Sequence, residues 1–227
     1  MKNFLIETSK ICNLSRVPTK IETNPLKITV DFLIREDVKS AVTYLSSYYN
    51  NLSYETANDL FGTSMRSLEG YKHTDCFLPW YHTSPISQFE DNAFITKINE
   101  KHVFEKVLKL QTLLLSIKSR GYVPENFLDR KGGNITGYFL EGNGCQKFYV
   151  VSGNHRVAVL SALGEKNIKV ALESTQNFKN REFVNMGWSA IPKVIKDTEV
   201  DRWPAVKSGF MKSHDALTIL EKFVKFN

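Results

Sequence analysis

Residues Lys147–Leu172, KFYVVSGNHRVAVLSALGEKNIKVAL, decide how this chain reads. Phe148-Tyr149-Val150-Val151 is a β-type run. It meets Ser152-Gly153-Asn154 and turns at once into helical spacing. Val157, Leu160 and Leu163 fall on one face, with Ala158 and Ala162 beside them. Gly164, free to take a positive φ, stops the helix. Ile168-Lys169-Val170-Ala171-Leu172 is a second β-type run. The stretch predicts a strand, a tight turn, a helix and a strand.

The turn is where chemistry is expected. Gly153 lets the backbone bend and lets a ligand approach closely. Asn154 is expected to cap the helix. The first N–H groups of a helix have no internal acceptor and lie at the positive end of its dipole, which favours an anion. Arg156, and His155 when protonated, would add charged donors. Ser152, Gly153, Asn154, His155 and Arg156 are therefore the candidate phosphate- or carboxylate-binding residues. The competing reading is a capped helix with two surface basic residues.

Working outward, Gly142-Asn143-Gly144 is a hairpin-type turn that joins a strand near Ile135–Leu140 to the central unit. Before it, residues 101–119 predict the longest helix, with Val103, Val107, Leu110, Leu114 and Ile117 as core stripe. Phe104, Leu108, Leu113 and Leu115 widen that stripe and predict a helix covered on two sides. Residues 1–26 read as irregular, broken by Pro18 and Pro25. Ile28, Val30 and Phe32 alternate with polar residues and predict a strand. Residues 36–49 predict a helix opened by Glu36 and Asp37. In the aromatic loop around residues 77–82, Trp80, Tyr81 and His82 are candidate pocket-lining residues. Asp197, Glu199 and Asp201 alternate along a segment read as extended, a pattern able to face Mg²⁺ one way or to be a solvated acidic edge. Ser213 is expected to cap a last helix striped by Leu217, Leu220 and Val224.

Composition narrows the classes. A chain of 227 residues that is 42% hydrophobic can bury a real core and is not a disordered polymer. A net charge of +6, spread without a basic run, suits anionic partners but does not by itself mark a nucleic-acid arm. Cys12, Cys76 and Cys145 are too few and too scattered for a disulfide framework or a zinc site. The opening residues lack a signal-peptide core, and no run approaches the roughly 20 apolar residues of a membrane span. The expectation is a soluble cytoplasmic protein. No GxxxxGK[ST] or GxGxxG loop occurs.

These residues also carry a family resemblance. A helix ending Leu115-Ser116-Ile117-Lys118-Ser119-Arg120-Gly121-Tyr122 precedes a strand and hairpin. Then come Tyr149-Val150-Val151-Ser152-Gly153-Asn154-His155-Arg156, the Ala158/Ala162 helix, Gly164 and a strand. The order resembles the ParB/sulfiredoxin superfamily over about residues 77–175. The resemblance implies an α/β (α+β) fold: a small mixed sheet with flanking helices, here with an N-terminal α/β extension (residues 1–76) and a C-terminal extension (residues 176–227) that packs a helix on the core. It implies nucleotide phosphates held at the turn, with Gly153 as the turn glycine, Arg156 as the phosphate-binding arginine and His155 as the histidine of the sulfiredoxin-like and kinase-like versions.

Asn154 stands where a sulfiredoxin would carry its catalytic cysteine, which removes sulfinic-acid reduction. A partition protein would show a glutamate there, then an Arg-Arg pair and a helix-turn-helix. The resemblance therefore leads first to a nucleotide-dependent phosphotransferase acting on a small hydroxyl-bearing molecule, with a nucleoside tri- or diphosphate and Mg²⁺ as cofactors. His155, Glu125, Asp129 and Glu173 are its candidate catalytic residues. The alternatives are a nucleotide-gated DNA-binding protein of the partition type, and a ParB-like binding module without catalysis.

Overall fold

The computed structural model describes residues 3–14, 18–20, 22–51, 78–80, 99–124, 133–172 and 192–225. Strand β4 (Ile135–Gly142) turns through Asn143-Gly144 into β5 (Cys145–Ser152), and the two pair antiparallel along their length. Asn143 at φ 51° and Gly144 at φ 73° make this a two-residue turn with both central residues left-handed, matched to strand twist. Helix α4 (Asn154–Ala162) and β6 (Asn167–Leu172) follow, so the central unit stands as the sequence predicts.

Among the described residues the strands form one seven-stranded mixed sheet, in the order β1-β6-β4-β5-β2-β3, with β7 (Val194–Lys196) also on β4. Strands β1 (Asn3–Glu7), β2 (Ile11–Leu14) and β3 (Pro18–Lys20) come from the segment read as irregular. β1 runs antiparallel to β6, and β2 parallel to β5. The N-terminal segment thus lies in the same sheet as the central unit.

The strand expected at residues 27–32 is a helix, α1 (Pro25–Ile34). Asn24 caps it, its Oδ1 accepting from the N–H of Leu26 at 2.9 Å, and Pro25 fills the first turn, where a missing N–H costs nothing. Leu26, Thr29, Val30 and Leu33 are buried, a spacing of three and four that the alternation of Ile28, Val30 and Phe32 hides. Helix α2 (Val38–Asn50) is capped by Asp37, so Glu36 and Asp37 precede it rather than forming its first turn. Helix α3 (Glu100–Arg120) buries the five predicted positions. Its wider stripe is covered only at Leu113, which is half-buried against the core: Phe104, Leu108 and Leu115 are exposed.

Helices α1 to α4 pack on one another. On the other side of the sheet, α6 (Ser213–Val224) packs on β4 and β5. Phe223 of α6 meets Tyr149 and Trp80 edge-on, and Trp80 meets Trp203 ahead of the short helix α5 (Pro204–Lys207). The stripe of α6 is Ala216, Ile219, Leu220, Phe223 and Val224, with Leu217 only half-buried. Ser213 is its first residue, and its hydroxyl donates to Asp201 instead of capping the helix.

Residues 197–202 are a 3-10 helix, not an extended segment. Its carboxylates have separate duties. Asp197 accepts from the N–H of Asn143, Glu199 faces Arg202, and Asp201 accepts from Ser213. They do not converge on one point. Cys12 is buried, which pushes its thiol up to about 12, and Cys145 is exposed; both are free thiols. No helix among the described residues is long and apolar enough to cross a membrane.

Candidate anion site at the start of helix α4

The site begins where β5 ends. The register between β4 and β5 shifts at Thr136/Gly137, so Val151 is an extra residue two positions before the turn. Such a bulge bends a strand and re-aims the residues after it. Gly153 then takes φ 97° and ψ 16°, left-handed backbone, and is the N-cap of α4. A Cβ here would stand 3.0 Å from the Cα of Ile135, so both the conformation and the space require glycine.

This corrects one expectation. Asn154 is the first helical residue, not the cap, and glycine brings no side chain to cap the helix. Val157 already donates to the Gly153 carbonyl, at 3.0 Å. The N–H groups ahead of Val157 have no intrahelical acceptor, as at every helix start, and add the positive end of the dipole.

The side chains around this start are half-buried. Asn154 Oδ1 and His155 Nε2 are buried and have no hydrogen-bond partner among the described residues. Buried polar atoms left unmatched each cost about 1–3 kcal/mol. His155 is not the cation that the sequence reading allowed. Burial first, then the positive charges of Lys106, Lys109 and Arg156, push its pKa down to about 4. It is a neutral imidazole at neutral pH.

That depression also maps the field. Among the described residues the charges acting on His155 are positive, and two of them come from α3, which packs on α4. Lys106 is held in place: its Nζ lies 3.2 Å from the Tyr49 hydroxyl and 4.7 Å from the centre of that ring. Tyr49 itself is buried on α2. Two cations from α3 and Arg156 from α4 therefore act on one buried histidine, at a helix start that has no side-chain cap. An anion is the charge type such a place lowers in energy.

Of the other candidates, Ser152 ends β5 directly before the turn. Trp80 is fully buried, and its indole N–H donates to the Tyr138 hydroxyl at 2.9 Å. It is a core residue, not the lining of an open pocket. A loop tryptophan can be buried this way because Tyr138 satisfies its one donor. Tyr81, His82, Glu125, Asp129 and Glu173 lie outside the described residues. Among the described residues no three His, Cys, Asp or Glu side chains stand together in the manner of a metal site.

Lys106 and Lys109 were missed in the sequence. They flank the buried Val107 and Leu110, so their place beside a packed face was readable. That α4 is the neighbour of this face is a tertiary fact, which periodicity does not carry.

No protein-family model matches this chain, and no curated protein or solved structure is significantly similar to it.

Proposed function

We propose that this protein binds a nucleotide by its phosphates at Ser152–Arg156 and transfers a phosphoryl group to a small hydroxyl-bearing molecule. One observation carries the binding: the glycine-capped start of α4 opens where Arg156, Lys106 and Lys109 concentrate positive charge on a neutral His155. The transfer step rests on the resemblance of the Gly153-Asn154-His155-Arg156 turn to the kinase-like members of the ParB/sulfiredoxin superfamily.

In that reaction the terminal phosphoryl passes from the nucleotide's bridging oxygen to the acceptor oxygen, the acceptor proton goes to a base, and the nucleotide leaves one phosphate shorter. Catalysis is mainly positioning and charge neutralisation. Arg156 would neutralise charge on the phosphates, helped by the lysines of α3. A neutral His155 would be available as the base, and phosphates beside it raise its basicity. Mg²⁺ would enter on the phosphates, with Glu125, Asp129 and Glu173 as candidate carboxylates.

Thermal unfolding with ATP, ADP, CTP and GTP, each with and without Mg²⁺, tests the reading. A ligand of the native state stabilises it by about 2.7 kcal/mol at a hundredfold excess over Kd. The expected result is a shift with at least one nucleotide that Arg156→Ala loses. No shift with any of them refutes nucleotide binding. A shift with CTP that grows with DNA, and falls steeply with salt, replaces the transferase with the partition-type alternative.

A further inference from the structure

Tyr122 is the second residue after α3, and its hydroxyl bridges two backbone groups at the start of β4. It accepts from the N–H of Ile135 at 3.1 Å and donates to the carbonyl of Gly133 at 3.2 Å. Ile135 is also the residue on which the turn rests, its Cα and Cγ1 each 3.0 Å from the place of a Cβ on residue 153. The same tyrosine is joined through Gly121 to α3, the helix that carries Lys106 and Lys109. One hydroxyl thus ties the cation-bearing helix to the floor of the glycine turn.

We propose that Tyr122 is a positioning residue for the anion site: its hydroxyl fixes Ile135 beneath Gly153 and so sets the aim of the α4 N–H groups relative to the lysines of α3. The proposal rests on the phosphate-binding reading above. Tyr122 touches no ligand in this account. It acts through Ile135, and geometry at an anion site matters because charge-assisted hydrogen bonds weaken quickly with misalignment.

The test is Tyr122→Phe, which keeps the ring and removes the bridge. Pyrophosphate is the probe, titrated by calorimetry well below the unfolding temperature. In parallel, the amide resonances of Gly153, Asn154 and His155 are followed in ¹⁵N-labelled protein. The expected result is an affinity loss of about tenfold, equal to about 1.4 kcal/mol, with those three amides displaced in the free variant and the salt dependence of binding unchanged. Lys109→Ala, by contrast, lowers the salt dependence. A Tyr122→Phe protein that melts earlier but binds pyrophosphate like the wild type makes the tyrosine merely structural and overturns the proposal, leaving the site standing. A wild type that binds no pyrophosphate overturns the site and the proposal together. The amide shifts report on the turn even in a variant of lowered stability.

Discussion

The Cα of Ile135 stands 3.0 Å from the place that a Cβ on residue 153 would occupy, closer than real Cβ atoms normally come to backbone. The start of β4 and the start of α4 are therefore in contact through a glycine that no other residue replaces. Gly153→Ala meets both this contact and the φ of 97°. It should destabilise the protein by about 1–3 kcal/mol, the scale of a strained backbone position, and remove anion binding in the protein that still folds. Urea unfolding and phosphate titration read the two effects separately.

His155 should make stability depend on pH. Its folded pKa, about 4, lies below its ordinary value of 6.5. Between these values the unfolded chain binds a proton that the folded chain refuses, so stability rises with pH across pH 4 to 6.5 and is lost as pH falls through it. The full span is worth up to about 3 kcal/mol by the energy of a pKa unit. His155→Gln should flatten that part of the profile in urea unfolding from pH 4 to pH 7. An equal slope in the variant assigns the dependence to other groups.

Phosphate binding should move the same group the other way. An anion offsets the charges of Lys106, Lys109 and Arg156, so the His155 pKa rises toward its ordinary value. Imidazole proton resonances titrated with and without pyrophosphate measure it directly. An unmoved pKa in a protein that binds pyrophosphate places the anion elsewhere.

The C-terminal helix is core. Phe223 is fully buried, with its ring centre 5.3 Å from that of Trp80 and 5.8 Å from that of Tyr149. Phe223→Ala should cost about 3–5 kcal/mol, as large aromatic truncations in cores do. A cost below about 1 kcal/mol, the range of an exposed site, contradicts the packing of α6 on the sheet.

Asn24→Ala tests the helix that replaced the expected strand. Removing the cap of α1 should cost about 0.5–2 kcal/mol, whereas a residue merely preceding a strand would cost little. Chemical denaturation decides between them.

The sequence exposed what is local. The unit β5–α4–β6, the hairpin at Asn143-Gly144 and the five-residue core stripe of α3 depend on residues within a few positions of one another, and they stand as read. What failed was non-local. β1 owes its strand character to residues 167–171 and β2 to residues 148–150, partners more than a hundred positions away. Alternation at Ile28, Val30 and Phe32 outweighed a better signal just before it, the Asn24-Pro25 pair of a helix start. The site was half legible. Gly153 and Arg156 marked the turn as a candidate for an anion, while the lysines of α3 and the bridge from Tyr122 depended on which elements pack together. The charge of His155 stayed open in the sequence, because burial and cations from another helix set it.

The most direct measurement of the central claim is a titration of ¹⁵N-labelled protein with ATP, with amide shifts mapped along the chain. The earliest and largest shifts are expected at Gly153, Asn154, His155 and Arg156, with the ends of the Lys106 and Lys109 side chains responding in the same concentration range. Saturable shifts that leave these four amides still would contradict a phosphate site at the start of α4, and so would the absence of any shift.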